Sequence, residues 1–263
     1  MDYFVWNVDP VIFKWHFLQL RWYGLFFVGS FIIGLWIMKK IYIKEGKDIS
    51  SLDNLLIYAL IGTIAGARLV HCLFYEPNYY LSHPIEILYV WKGGLASHGG
   101  MLGAMIGIYL YARKYKISYL WLLSRLTIPG TLIAASVRIG NLFNSEILGK
   151  ATNLPWAIVF ERVDNIPRHP VQLYEAISYL IIFVILIFIY KKTSPIFSTK
   201  LLPGVFLTLL FGVRFLLEFT KTKQATYTLD IPLSVGQMLS LPFIILGIAW
   251  IIWAFKTTPK ELR

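Results

Sequence analysis

Long apolar stretches, separated by short basic or polar segments, follow one another along the chain. A membrane-spanning helix needs about 20 mostly apolar residues. Seven stretches qualify by this criterion, at 20–38, 53–72, 94–112, 119–137, 170–190, 201–219 and 232–255. The pattern therefore predicts an all-α polytopic membrane protein, a seven-transmembrane-helix bundle that forms a single integral membrane domain over residues 1–263.

The lysines predict how this bundle is oriented. Lysine pairs follow the first, fifth and seventh stretches, at Lys39 and Lys40, Lys191 and Lys192, and Lys256 and Lys260. Basic loops tend to stay in the cytoplasm, so we expect the N-terminus outside and the C-terminus in the cytoplasm. Arginines on the other side make the asymmetry modest by raw count. The longer segments 73–93 and 140–169 then lie on the outer face, as interfacial segments and a small head region that carry the site and face the substrate.

Composition narrows the class of protein further. Hydrophobic residues make up 57% of the chain and charged residues only 15%, with a mean hydropathy of +0.63, which excludes an ordinary soluble domain. The net charge of +11 indicates contact with anionic lipid, and no nucleic-acid motif occurs, so we expect membrane lipid and not nucleic acid as a partner. Cys72 is the only cysteine, and no nucleotide-binding or metal-ligand motif is present. We therefore expect no cofactor and no metal.

Four polar side chains in nine positions, Arg138, Asn141, Asn144 and Glu146, follow the fourth apolar stretch. Such groups are costly near a bilayer and are usually functional there. On an ideal helix Arg138 and Asn141 share a face, whereas Asn144 and Glu146 point elsewhere. The four converge only if the backbone leaves the helix, which Gly140 and Gly149 would permit. A snorkelling arginine with amides that cap a helix end explains one of these residues but not all four.

Two further candidates lie in other stretches. Arg214 and Glu218 are four residues apart on one helical face, and they read about equally well as an intrahelical ion pair or as a phosphate-binding arginine with its positioning carboxylate. His98 stands among glycines that would let a substrate approach, and histidine titrates near neutrality, as a general base requires. A structural histidine is the alternative.

The start of the first stretch and that of the fifth also carry polar side chains. Tyr23 alone would read as part of an interfacial aromatic belt. Gln172 and Glu175 enter the bilayer just after His169, and we interpret these three as supports for the site and not as reacting groups.

Six motifs together resemble the prolipoprotein diacylglyceryl transferase family, in order and nearly end to end. They are RWYGL at 21–25, GGLASHGG at 93–100, RIGNLFNSEILG at 138–149, RHPVQLYE at 168–175, RFLLEF at 214–219 and LSVGQ at 233–237. The resemblance implies transfer of the diacylglyceryl group of phosphatidylglycerol to the lipobox cysteine thiol of a prolipoprotein signal peptide. A thioether forms and glycerol 1-phosphate leaves. It also implies a multi-pass protein of the bacterial cytoplasmic (inner) membrane, with its active site toward the periplasmic or outer leaflet.

The resemblance assigns roles to residues. It implies the catalytic residues Tyr23, His98, Arg138, Asn141, Glu146 and Arg214. Phosphatidylglycerol would be bound by Arg138, Asn144, Gly149, Arg214 and Glu218, with Glu146 and Glu218 holding the arginines in place. His98, or Tyr23 within a network, would take the thiol proton. The alternative is an anion or lipid transporter with an intramembrane Arg/Glu site, but its polar residues would run through both halves of the bilayer, whereas here they gather toward the outer side.

Overall fold

The computed structural model describes residues 3–16, 18–222 and 233–263. Its helices are α1 (Trp22–Lys44), α2 (Leu52–Val70), α3 (Pro77–Ser82), α4 (Ser97–Lys114), α5 (Tyr119–Phe143), α6 (Val171–Lys192), α7 (Pro195–Leu217) and α8 (Val235–Thr257). The chain divides into two compact units, one made of Met1–Met38 and Ser124–Arg263 and the other of Lys39–Leu123.

Helices that are long and apolar enough to cross a bilayer dominate the described part of the chain. Six segments qualify, namely Trp22–Lys44, Ile49–Tyr75, Tyr119–Phe143, Val171–Lys192, Pro195–Thr220 and Val235–Thr257. The protein is therefore a polytopic membrane protein, as the sequence predicts. The remaining predicted span, 94–112, corresponds to α4, which is not among the six and which carries His98 in its first turn and Arg113 and Lys114 in its last. Position 232, the predicted start of the last span, lies outside the described residues.

In the unit Lys39–Leu123, α2 and α4 pack backbone against backbone through glycines. A Cβ placed on Gly62 or Gly66 would overlap a carbonyl oxygen of α4, and one placed on Gly103 would overlap the carbonyl oxygen of Gly62. Small residues at the contact let the helix axes approach closely, which strengthens dispersion contacts in a membrane. The glycines four apart in both stretches thus serve helix packing.

In the other unit a small sheet covers the end of α5. Strand β1 (Phe4–Trp6) pairs in parallel with β4 (Ile158–Phe160), and β4 pairs antiparallel with β5 (Pro167–Arg168). Ile158 and Phe160 pack on Leu142 of α5, with Trp6 and Leu148 against them. The sheet therefore buttresses the chain where it leaves α5. A separate hairpin, β2 (Val11–Trp15) and β3 (Leu18–Arg21), directly precedes α1, so positions 20 and 21 are strand residues and not the start of the first span.

Candidate active site

The polar cluster predicted at 138–146 forms a compact network at the end of α5. Arg138 Nη1 donates to Asn141 Oδ1 at 3.2 Å, and Asn141 Nδ2 donates to Glu146 Oε1 at 2.7 Å. Asn144 Nδ2 donates to the same carboxylate oxygen at 3.2 Å. All four side chains are thus joined in one chain of hydrogen bonds, and the carboxylate of Glu146 organises both amides.

The network requires the backbone to leave the helix, and it does so at Phe143. Ser145 and Ile147 then adopt left-handed conformations, with φ of 53° and 58°. The predicted non-helical turn is confirmed. Its attribution to glycines is wrong, because Gly140 is helical and the left-handed residues are Ser145 and Ile147.

Gly140 and Gly149 instead allow close packing. A Cβ on Gly140 would lie 2.5 Å from ring atom Cδ2 of Tyr23, so the glycine lets the tyrosine ring rest on α5. The charges of Glu146 and Arg138 both act electrostatically on the Tyr23 hydroxyl. A Cβ on Gly149 would overlap the carbonyl oxygen of His169. The structure thus brings Tyr23 to the cluster and gives Gly149 a packing role.

Glu175 of α6 is the carboxylate that pairs with Arg138. Its Oε2 lies 3.1 Å from Arg138 Nε, although this N–H is not aligned for a hydrogen bond, and its Oε1 accepts a hydrogen bond from Lys221 Nζ at 2.8 Å. The Glu175 side chain is fully buried, and those of Arg138 and Lys221 are 15% and 6% exposed. Glu146 reaches Arg138 through Asn141, so the expectation that it helps to hold this arginine stays a prediction. The buried carboxylate of Glu175 pairs with Arg138 directly.

Glu218 also pairs with Lys221. Its Oε2 lies 3.4 Å from Lys221 Nζ, and among the described residues no ion pair joins it to Arg214. The predicted Arg214–Glu218 ion pair is thus absent from the described part of the chain. The expectation that Glu218 holds an arginine in place through such a pair is therefore wrong. The Glu218 carboxylate lies beside Gly236 in the first turn of α8, where a Cβ would come within 2.6 Å of Oε1. The positive end of the helix dipole favours a carboxylate there.

Tyr179 of α6 is a buried tyrosine near the cluster, and sequence reasoning missed it. It follows Glu175 by one helical turn and is 3% exposed. The charges of Glu175, Arg138 and Arg214 all act on its hydroxyl. The arginines of α5 and α7 are therefore both within electrostatic range of the same part of α6. The spacing of four from Glu175 on a helix was the available signal.

Lys221 was also missed as a site residue. Its ammonium joins Glu175 and Glu218, and its backbone pairs with Gly149 as an isolated β-bridge. The neighbouring Lys150 N donates to Thr220 O at 2.8 Å. The segment after α7 is thereby fixed to the turn that follows α5.

The three predicted supporting residues lie around this turn. Gln172 is fully buried and its Nε2 donates to the carbonyl oxygen of Glu146 at 2.7 Å. His169 N donates to Lys150 O at 3.0 Å, and its Nδ1 lies 3.4 Å from the Tyr174 hydroxyl. Glu175 holds Arg138, as above. All three contact the segment 138–150 or its cations.

Arg168 binds Asp164 at the edge of the small sheet. Two hydrogen bonds join the guanidinium to the carboxylate, at 3.2 and 2.5 Å. The Arg168 guanidinium therefore holds the pKa of Asp164 below its ordinary value. A third guanidinium hydrogen bond reaches Gly149 O at 3.2 Å, which ties this ion pair to the turn.

His98 lies in the other unit, exposed in the first turn of α4. Its expected role as the base that takes the thiol proton stays a prediction. The segment that leads into α4 is held by the buried guanidinium of Arg68, which is 2% exposed. It donates to the carbonyl oxygens of Glu86, Ile87, Gly93 and Gly94, at 2.5, 2.9, 2.6 and 3.3 Å. Ala96 N donates to Ala67 O at 3.0 Å, so the start of α4 is anchored on α2.

The fold and the cluster define a class: a polytopic membrane protein with buried cations and carboxylates where its helices end. The chain belongs to the prolipoprotein diacylglyceryl transferase family, whose sequence model matches residues 10–253. This confirms the resemblance drawn from the motifs.

Relatives named phosphatidylglycerol–prolipoprotein diacylglyceryl transferase match nearly the whole chain. The protein of Tolumonas auensis is 48% identical over 95% of this chain and 97% of its own length. That of Chloroherpeton thalassium is 49% identical over 99% and 97%, and that of Porphyromonas gingivalis is 42% identical over 97% and 95%. The chain is thus similar to these proteins along its full extent.

Proposed function

We propose that this chain transfers the diacylglyceryl group of phosphatidylglycerol to the lipobox cysteine thiol of a prolipoprotein signal peptide. The sulfur attacks the carbon of the diacylglyceryl group that carries the phosphate. A carbon–sulfur bond forms there, and the bond from that carbon to the phosphate oxygen breaks. The bonding electrons leave with the phosphate oxygen as glycerol 1-phosphate, and the thiol proton passes to a base. Family membership supports this reaction. The observation that carries it is the buried Arg138–Glu175–Lys221 cluster, whose cations suit an anionic leaving group.

Arg138 and Arg214 bind the phosphate in this proposal. A planar guanidinium donates two parallel hydrogen bonds to phosphate oxygens. As the leaving group gains negative charge, fixed donors in a water-poor site stabilise it by roughly 3 kcal/mol each. Both arginines act electrostatically on the Tyr179 hydroxyl, which supports a shared ligand.

The turn after α5 binds the glycerol headgroup. Asn144 and the backbone around Gly149 contact it, while Asn141 and Glu146 complete the polar wall of the site. The hydrogen bonds that join both amides to Glu146 support this role, because they fix the orientation of groups that must meet a hydroxyl. Glu218 contributes through its contact with Lys221.

His98 accepts the thiol proton, or Tyr23 does so within a network. A free thiol is only a few per cent thiolate at neutral pH, so a base accelerates the attack. The exposed position of His98 at the start of α4 leaves its ring accessible to a substrate. Gln172, His169 and Glu175 position the turn and Arg138 and do not themselves react.

The proposal includes seven spans, with the N-terminus outside and the C-terminus in the cytoplasm of a bacterial inner membrane. The span that completes the seven is α4, which is third in chain order. Its 18 residues reach about 27 Å at 1.5 Å per residue, and its backbone contact with α2 supports a course through the bilayer antiparallel to that helix. The small sheet of β1, β4 and β5 forms the outer-face head region, and the site faces the outer leaflet.

The test uses purified protein, phosphatidylglycerol and a lipobox peptide, with mass spectrometry of the peptide. A mass gain of one diacylglyceryl group is expected. Arg138→Ala lowers the rate by roughly 10²–10³-fold, the usual effect of removing one transition-state donor. Arg162→Ala is the matched control, because that arginine is 40% exposed and pairs with Asp9 at 3.7 Å outside the site. An unmodified peptide, or equal rates for the two variants, would contradict the proposal.

An anion or lipid transporter remains the alternative class to exclude. The family assignment favours the transferase. Movement of phosphatidylglycerol across proteoliposomes without any peptide modification would instead support transport.

A further inference from the structure

The β2–β3 hairpin is an amphipathic ribbon. Its register pairs Phe13 with Leu20 and Lys14 with Gln19. Because successive strand residues point to opposite faces, Trp15 joins Phe13 and Leu20 on one face, and Arg21 joins Lys14 and Gln19 on the other. Arg21 Nη2 donates to Gln19 Oε1 at 3.2 Å, as neighbours on one face would.

The apolar face of this ribbon is open. Phe13, Trp15 and Leu20 are 59%, 62% and 50% exposed. A two-stranded hairpin is marginally stable by itself in water, and it needs a third layer to cover its apolar side. Something must therefore cover this face.

Continuity with a membrane-spanning helix identifies the cover. Arg21 ends β3 and Trp22 begins α1, with no linker between them. Trp22 N donates to Pro10 O at 3.1 Å, which fixes the base of the hairpin to the first turn of α1. Because α1 is one of the spanning segments, the hairpin that directly precedes it lies at the boundary of the bilayer.

The polar face of the hairpin is basic and therefore favours anionic lipids. Lys14 and Arg21 are its charged residues, and both are exposed. Asp9 precedes β2, accepts a hydrogen bond from Val11 N at 2.8 Å and pairs with Arg162. Basic side chains beside an interfacial apolar face are attracted to anionic headgroups.

We propose that the β2–β3 hairpin is a membrane-binding element that lies on the leaflet where α1 begins. Phe13, Trp15 and Leu20 enter the boundary between headgroups and acyl chains. Lys14 and Arg21 bind phosphates of anionic phospholipids. The hairpin thereby holds the start of α1, which carries Tyr23, at the lipid surface. This inference does not depend on the transfer reaction.

Fluorescence of full-length protein in nanodiscs tests the hairpin. Cys72, the sole and buried cysteine, is first replaced by Ser. An NBD probe is then attached to Phe13→Cys or, as the matched control on the opposite face, to Gln19→Cys. Both positions are exposed, so the fold is expected to survive, which circular dichroism checks. The probe at position 13 should emit at shorter wavelength and be quenched several-fold more by lipid-borne quenchers than that at 19.

Two results would overturn the proposal. One is emission from position 13 that is water-like and quenched by iodide as strongly as that from position 19. The other is a blue shift that occurs only in discs with two copies of the protein, since a second copy would then be the cover.

Lipid charge tests the phosphate contact separately. With the probe at position 13, Lys14→Gln should lower the equilibrium constant for insertion about fivefold in discs rich in phosphatidylglycerol, from the usual contribution of one lysine near an anionic surface. In phosphatidylcholine discs the substitution should have no effect. Equal effects in both lipids would refute the headgroup contact.

Discussion

Replacement of Glu175 by glutamine removes the charge that neutralises two buried cations. The variant keeps the size and most of the hydrogen-bonding capacity of the side chain. It leaves Arg138 and Lys221 without the carboxylate that lies 3.1 and 2.8 Å from them. Loss of one partner from a buried ion pair typically costs about 3–5 kcal/mol, because the other charge stays desolvated. We expect Glu175→Gln to lose that much free energy of unfolding.

Glu218→Gln is the matched control. Both carboxylates contact the same Lys221 ammonium, but Glu218 is 18% exposed and lies 3.4 Å away, whereas Glu175 is fully buried. Water compensates the loss of a partly exposed pair, so the expected cost is roughly 1 kcal/mol or less. The difference between the two variants therefore measures the burial of Glu175 together with its second cation, Arg138.

The assay is the free energy of unfolding in mixed micelles, measured by titration with SDS. Lys221→Met combined with Glu175→Gln removes one of the stranded cations, so the double variant should be more stable than Glu175→Gln alone. A coupling energy of about 1–3 kcal/mol is expected for residues in direct contact. Additive effects, or equal losses for Glu175→Gln and Glu218→Gln, would refute the reasoning.

Three other predictions concern the remaining elements of the protein. His98→Gln should slow transfer by roughly 10²–10⁴-fold and remove the fall in rate at acid pH that a general base produces, so an unchanged pH–rate profile would argue against this role. Arg68→Gln should lose about 3 kcal/mol or more of unfolding free energy, because buried carbonyls lose their donors; Arg68→Lys should lose less, and equal losses would contradict the clamp. Asp164 has a lowered pKa, so its contribution to stability is complete above its ordinary value of 3.8 and disappears as the pH falls through the lowered value. Asp164→Asn should flatten this acid dependence, measured as the thermal midpoint against pH.

The sequence predicted the members of the site better than their partners. Arg138, Asn141, Asn144 and Glu146 stand close together in the chain, and helical spacing already showed that they need a turn to meet. The carboxylate that pairs with Arg138 is on another helix, and spacing says nothing about contacts between helices. Glu175 was therefore identified as a support without its role, and Lys221 was passed over.

The fold was predictable where the signal is long. Twenty-residue apolar stretches define a membrane helix by themselves, and six of the predicted spans agree with long apolar helices in both type and approximate position. Strands of two to five residues, such as β1 and β5, are too short for alternation to be recognised. In α4 the residues His98, Arg113 and Lys114 weaken the hydropathy signal, while its glycines serve the close contact with α2.

Ile147 places backbone strain in the turn after α5. A β-branched residue in the left-handed region is strained by about 1–3 kcal/mol, and the contacts of Glu146 and Gln172 must outweigh that strain. Glycine at this position would relieve it and stabilise the protein. It would also increase the conformational freedom of the amides of Asn141 and Asn144 in the lipid-free protein. The strained turn therefore gives up some thermodynamic stability in return for a preorganised binding site.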